Sequence, residues 1–173
     1  MRTGKIISKL INHSLSLLLA SLSLIFTGCV SSSSSPSTIK SAQQISVYEG
    51  LPHPIREAEL LAQEKLRSDI VVIAGFPFYE PSVKADQIQE KRIKGLLGYG
   101  SNFYVGVPKD CGPFHPDFSV EWMDNGSKHQ ILICFSCNEV MVVSTSFKET
   151  YDFKRFPELE EILREFSSKR PKS

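Results

Sequence analysis

Two short segments of this chain contain most of the side chains that could bind a metal or react. The first contains Cys111 and His115, and the second contains Cys134 and Cys137. Three thiolates and one imidazole form an accepted ligand set for a structural zinc ion. The residue types therefore predict a zinc site composed of Cys111, His115, Cys134 and Cys137.

A β-hairpin is expected to bring these two segments together. Apolar and polar residues alternate over 118–123, and the chain returns over 128–135. Between them lies Asn125-Gly126, the strongest short signal for a two-residue hairpin turn. This turn pairs Phe118 with Ile133, Val120 with Ile131, and Trp122 with His129. The paired side chains form one apolar sheet face, and a slip of one residue would destroy that sorting.

The same register, continued outward, places the two reactive segments opposite each other. It pairs His115 with Ser136, Asp117 with Cys134, and Phe114 with Cys137. Directly opposed residues lie roughly 5 Å apart. In a regular strand, however, residues three apart point to opposite faces and lie about 10 Å from each other. Cys134 and Cys137 can therefore share a metal only if the chain turns tightly at 135–136.

Two other interpretations of the thiols remain open. In one, Cys137 is a buried core residue, and Cys111 and Cys134 either form a disulfide or stay free. In the other, a thiol acts in redox chemistry or as a nucleophile, with Cys111 beside His115. A thioredoxin-like site is disfavoured because its Cys-x-x-Cys precedes a helix, whereas residues 139–143 have the composition of a strand.

The remaining elements predict the fold class. Helices are expected over 54–66 and 85–97, and further strands over 70–74, 103–107 and 140–144. A last helix carries Leu159, Ile162, Leu163 and Phe166 on one face. The prediction is an α+β domain, with an antiparallel meander of three to four strands and two or three helices packed on one face. The basic tail over 169–172 is expected to be a solvated end that complements the helix C-terminus.

The N-terminus has the three parts of a secretory signal. Arg2, Lys5 and Lys9 supply positive charge, and an apolar stretch follows over 15–26. This stretch is shorter than the roughly 20 apolar residues that a bilayer-spanning helix needs. We therefore expect a cleaved leader rather than a permanent transmembrane anchor.

The leader ends in Phe26-Thr27-Gly28-Cys29, which resembles the lipobox of bacterial lipoproteins, with Phe26 where Leu is usual. The resemblance implies cleavage before Cys29, a diacylglyceryl thioether on its sulfur, and an acyl chain such as palmitate on the new amino group. Val30 resembles the signal that sorts lipoproteins to the outer membrane, facing the periplasm, in a Gram-negative host.

These features predict three regions: a signal peptide over 1–28, the lipidated Cys29 with a Ser-rich tether to residue 44, and a single α+β domain over 45–173. Three of the 20 basic residues lie in the leader, so 17 basic and 19 acidic residues remain and the formal charge becomes −2. This balance offers no electrostatic footprint for nucleic acid. The expected partners are the lipid bilayer and an unidentified envelope protein or ligand.

The reactive segments also resemble those of a group of bacterial lipoproteins with no established activity. Residues 111–117 match a C-G-x-F-H-P-D segment and residues 134–137 match C-F-x-C, while Asn138 replaces a His of that group. The likeness runs from about Tyr48 to the end of the chain and implies no reaction. We therefore predict a membrane-anchored binding or structural module that is not an enzyme. The alternative is a metal- or thiol-dependent enzyme that uses the Cys/His cluster, with zinc as its cofactor.

Overall fold

The computed structural model describes residues 36–145 and 147–171. The predicted signal peptide, Cys29 and the serine run lie outside these residues. Within the described residues, no helix has the length and apolar character that crossing a bilayer requires.

The fold is α+β, as predicted, but its sheet is larger than the predicted meander. Seven antiparallel strands form the main sheet in the order β4-β1-β6-β7-β8-β9-β5. Their bounds are β1 Ile45–Glu49, β4 Val83–Lys84, β5 Phe103–Tyr104, β6 Phe118–Asp124, β7 Ser127–Cys134, β8 Glu139–Ser144 and β9 Phe147–Phe153. The meander β6 to β9 is its centre. The sequence predicted β5 and β8 and the hairpin β6–β7, but not β1, β4 and β9. β4 is only two residues long, so its pairing with β1 rather than any periodicity defines it.

The hairpin register is the one that the Asn-Gly turn predicts. Phe118 pairs with Ile133, Val120 with Ile131, and Trp122 with His129. Asn125 and Gly126 have φ angles of 47° and 77°, as a type I′ turn requires. This turn therefore determines which face of β6 and β7 enters the core.

One face of the sheet packs against two helices, α2 (Gln87–Leu97) and α3 (Phe156–Arg164). The Asp86 side chain caps α2 by accepting hydrogen bonds from the backbone N–H groups of Ile88 and Gln89. The Gln89 side chain in turn accepts a hydrogen bond from the Asp86 backbone N–H. The apolar face of α3 is buried as predicted, through Leu159, Ile162 and Leu163, and Phe166, just after the helix, is buried with them. Burial of each such side chain contributes roughly 1.5–3 kcal/mol.

The folded domain begins before residue 45, where the tether was expected to end. A 3₁₀ helix, Pro36–Ser41, precedes β1, and Ile39 and Ala42 are buried in the main core. The threonine hydroxyl of Thr38 accepts a hydrogen bond from the Trp122 indole at 3.2 Å. Two isolated apolar residues create no periodic pattern, so the sequence did not reveal this segment.

The other face of the sheet is covered by a separate two-stranded hairpin, β2 (Ile70–Ile73) and β3 (Phe76–Tyr79). Ile73 and Phe78 bury Leu132 and Met141 of the main sheet. The first helix, α1 (Ala58–Glu64), packs Leu61 against Leu51 and Tyr79, in a separate cluster on the β3 side. The expectation that the helices share one face is therefore correct for α2 and α3 only.

Candidate functional site

A disulfide joins the two reactive segments. Cys111 is bonded to Cys137, with Cα atoms 5.6 Å apart and a sequence separation of 26. Among the described cysteines, Cys134 remains a free thiol, and it is buried. In the interpretation without a metal, Cys137 was expected to be a buried core residue and Cys111 and Cys134 to pair or stay free. Cys137 is indeed buried, but it is the partner of Cys111, and Cys134 is the free thiol.

A tight turn makes this pairing geometrically feasible. β7 ends at Cys134, residues 135–138 form the turn, and β8 begins at Glu139. Asn138 adopts a positive φ of 53°, which Asn tolerates better than most residues. The turn redirects Cys137 toward the loop that carries Cys111.

The four predicted zinc ligands are not gathered at one point. His115 Nε2 donates to the carbonyl oxygen of Leu51 at 3.0 Å, and its ring contacts that of His53 at a centroid distance of 5.0 Å. Cys134 Sγ lies 3.3 Å from Ser136 Oγ. The set predicted from Cys111, His115, Cys134 and Cys137 is therefore wrong as a single site in this structure.

The register fails beyond β6 because Asp117 terminates the ladder. Asp117 N donates to Ile133 O at 2.7 Å, and its carboxylate accepts the N–H of Phe135 at 2.7 Å. A side chain thus replaces the next backbone partner. Residues before 117 leave the hairpin, and His115 turns toward the segment after β1.

A cleft of about 760 Å³ lies beside this end of the sheet. It is lined by the residues that follow β1, by the turn after β7, and by the C-terminal segment over 167–171, which we call the strap. Phe118 and Phe135 supply its apolar surface. Three acidic and three basic residues supply its charge: Glu49, Glu57, Asp117, Arg56, Arg164 and Arg170.

The strap is held by a buried carboxylate. Glu49 Oε2 accepts the backbone N–H groups of Ser168, Lys169 and Arg170 at 3.0, 2.7 and 3.3 Å. Glu49 is 7% exposed. The basic tail is therefore docked onto the domain as far as Arg170, and the expectation of a solvated end is wrong for that residue.

Arg170 joins the strap to two further carboxylates. Its guanidinium bonds Glu57 and lies 3.3 Å from Asp117 Oδ1. Burial raises the pKa of Glu57, but the N–H of His53 at 2.8 Å and the Arg170 contact outweigh it and hold that pKa below its ordinary value. Glu57 is thus ionised, and both carboxylates are already hydrogen-bonded within the protein.

His53 is held as a neutral imidazole. Its Nδ1 accepts the backbone N–H groups of Ile55 and Arg56 at 3.2 and 3.3 Å, so the ring proton resides on Nε2. Burial, and then the charge of Arg56, lower the pKa of His53. Burial also lowers the pKa of His115, although Asp117 acts in the opposite direction.

No family model, curated protein or solved structure matches this chain.

The sequence predicted no cleft here, although it placed Asp117 and Phe118 in the hairpin register and identified the basic tail. Glu49 and Glu57 lie more than a hundred residues before Arg170 in the chain, and the three belong to no motif. Their only sequence signal is acidic residues at strand and helix ends, which is common on protein surfaces. Docking of the strap is what makes them neighbours.

The two histidines predict a loss of stability in mild acid. Since their folded-state pKa values lie below the ordinary value of 6.5, the unfolded chain takes up protons first as the pH falls through that value. The free energy of unfolding is therefore expected to decrease between about pH 8 and pH 5. Urea unfolding measured across this range would test it. Protonation of Glu57 also lowers the free energy of unfolding in acid, but only as the pH falls below the ordinary glutamate pKa of 4.5.

The control for this pH dependence is a His53→Gln, His115→Gln double variant. Its stability profile should be flatter over the same range, since neither site can then take up a proton. A decrease as steep as that of the wild-type protein would show that other groups are responsible.

Proposed function

We propose that this protein is a lipoprotein of the bacterial cell envelope, anchored through Cys29, whose domain binds a small anionic ligand in the cleft. The proposal of an anionic ligand rests on which of the charged side chains lining the cleft are already bonded within the protein. All three carboxylates are bonded to donors within the protein, whereas two of the three guanidinium groups remain near the opening.

The carboxylates contribute little free negative charge to the cleft. Glu49 accepts three backbone N–H groups, and Glu57 and Asp117 share Arg170 while each also accepts a backbone N–H. A carboxylate that already accepts two or three hydrogen bonds is a weaker partner for a cation than a free one. A cationic ligand is therefore disfavoured.

Arg56 and Arg164 offer the remaining positive charge. The Arg56 side chain is exposed and has no ion pair within residues 36–145 and 147–171. Arg164 pairs with Glu160 on its own helix, and its guanidinium lies over the Phe135 ring at 5.1 Å. A planar guanidinium binds a carboxylate or phosphate through two parallel hydrogen bonds.

The rest of the lining suits a ligand that is both polar and apolar. The exposed Ser167 and Ser168 on the strap can donate hydroxyl hydrogen bonds, and Phe118 and Phe135 can contact an apolar group. The Cys111–Cys137 disulfide supports an envelope location, because disulfides persist in oxidising compartments.

A binding experiment with three small probes tests this function. The solubilised lipoprotein is titrated by calorimetry with N-acetylalanine, with N-acetylalaninamide, and with inorganic phosphate. We expect the carboxylate or the phosphate to bind and the neutral amide to fail. Arg56→Ala and Arg164→Ala should each weaken that binding by about tenfold, because a hydrogen bond to a charged group contributes about 1.5 kcal/mol or more.

Arg155→Ala is the matched control for these variants. Arg155 is half-exposed and pairs with Glu158 at the start of α3, outside the cleft lining. Its removal should leave binding unchanged. Equal binding of the carboxylate and its amide, or no effect of either cleft arginine, would refute an anion site.

A further inference from the structure

A group of charged and sulfur-containing side chains surrounds the disulfide, and none of its members lines the cleft. We call it the Cys111 cluster: Cys111, Cys137, Glu139, Lys109 and Asp152. Glu139 begins β8 directly after the turn and pairs with Asp152 on β9. The sheet register thus places both carboxylates on one face beside the sulfurs.

Three of these side chains are close enough to share one metal ion. Cys111 Sγ, Cys137 Sγ and a Glu139 carboxylate oxygen all lie within 4.8 Å of one another. Zinc binds thiolates at about 2.3 Å and carboxylates at about 2.0–2.2 Å, so a tetrahedral site holds its ligand atoms roughly 3.5–3.8 Å apart. Separation of the two sulfurs and a shift of about 1 Å in Glu139 would satisfy that geometry.

The burial and charge of the cluster also suit zinc. Cys137 is 4% exposed, Cys111 is half-buried, and the Glu139 side chain is 20% exposed. Two thiolates and a carboxylate around Zn²⁺ carry a net charge of −1, and the Lys109 ammonium, 3.9 Å from Glu139 Oε1, balances it. Lys109 is held by Asp152 and by the carbonyl of Cys137 at 2.6 Å, so it need not leave for the metal to enter.

We propose that reduction of the Cys111–Cys137 disulfide creates a zinc site on Cys111, Cys137 and Glu139, with water as the fourth ligand. A dithiol donates two electrons: the disulfide becomes two thiols while the dithiol becomes a cyclic disulfide. Binding of Zn²⁺ then displaces one proton from each thiol. The disulfide and the metal exclude each other, because both need the same two sulfurs.

This site differs from the ligand set expected from the residue types. Cys134 and His115 do not join the group of atoms within 4.8 Å. Cys134 is buried beside Ser136, and His115 is bonded to Leu51. The inference is also independent of the anion cleft, since no residue of the cluster lines it.

Cobalt and zinc titrations of the full lipoprotein test the site. The protein is reduced with a dithiol, freed of it without oxygen, and titrated with Co²⁺, whose thiolate charge-transfer and tetrahedral absorption bands report the ligands. Zn²⁺ is then counted by elemental analysis. We expect one ion per chain after reduction and none before it.

Variants assign the ligands. Cys137→Ser should abolish the charge-transfer signal of the paired thiolates. Glu139→Gln should weaken zinc binding by more than tenfold, since the loss of even an outer-shell partner weakens metal affinity roughly 10–100-fold. Cys134→Ala, the matched cysteine control, should bind as the wild-type protein does. Because Glu139→Gln keeps both thiols, it remains decisive even if Cys137→Ser does not fold.

Three results would overturn the proposal. The first is a reduced chain, with its new thiols counted, that binds no metal. The second is equal binding by the oxidised protein. The third is binding that requires Cys134 but not Glu139.

Discussion

A Cys29→Ala protein is expected to lose its lipid and to leave the membrane fraction of the cell. The lipobox-like Phe26-Thr27-Gly28-Cys29 makes this sulfur the attachment point. Each buried CH₂ of an acyl chain contributes about 0.8 kcal/mol, and stable anchoring needs more than one chain. Without the thioether the protein has only its leader, whose apolar stretch is shorter than a membrane-spanning helix.

Fractionation and mass spectrometry together measure this effect. The wild-type protein should sediment with membranes, begin at Cys29 and carry the acyl mass, and Cys29→Ala should do none of these. Cys134→Ala, which replaces a buried cysteine of the domain, should behave as the wild type. A Cys29→Ala protein that stays equally membrane-bound, or wild-type protein that retains Met1 without lipid, would contradict the anchor.

The second large effect concerns the disulfide. Replacing both Cys111 and Cys137 by Ala is expected to lower the free energy of unfolding by about 3–4 kcal/mol, as the loop-closure entropy for a separation of 26 residues predicts. That loss corresponds to a decrease in melting temperature of roughly 10 °C or more. The double variant is preferable to either single one, because a single free thiol could pair with Cys134.

Chemical denaturation of the oxidised proteins provides the measurement. Cys134→Ala is again the control, and its cost should stay near 1 kcal/mol, the order expected for deleting one buried heavy atom. Peptide mapping without reductant should recover Cys111 linked to Cys137. A double variant as stable as the wild type, or a mapped Cys111–Cys134 link, would contradict the assignment.

The β6–β7 hairpin shows what local sequence can predict. Asn125-Gly126 selects a two-residue turn, and that turn alone determines every pair from Phe118–Ile133 to Trp122–His129. The same holds for α3, because the spacing of its apolar residues defines the buried face. In both cases, residues that are close together in the sequence are sufficient to predict the structure.

Local sequence patterns do not predict the places where a side chain replaces a backbone hydrogen-bond partner. The hairpin register predicted His115 opposite Ser136, but the Asp117 carboxylate accepts the Phe135 N–H and ends the ladder. A side chain that takes the place of a backbone acceptor leaves no periodic pattern in the sequence. His115 therefore lies away from the position that the predicted Cys/His cluster required, although both members of the disulfide belonged to that cluster.

The cleft and the Cys111 cluster could be predicted only in part. The cysteines were noted as reactive, but Glu139 enters the cluster through the β7–β8 turn, and Asp152 enters through the pairing of β8 with β9. In the cleft, Glu49 bonds the strap, which lies more than a hundred residues later in the chain. Contacts of this kind depend on the path of loops, which short-range patterns do not encode.

By itself, the sequence determined the α+β class, the central hairpin with its register, and the apolar face of the last helix, because turn chemistry and periodicity act between near neighbours. Only the tertiary structure decided which thiol pairs with Cys111, where His115 points, and that Arg170 bridges Glu57 and Asp117. Those outcomes depend on hydrogen bonds and packing between segments that meet only after the sheet has formed.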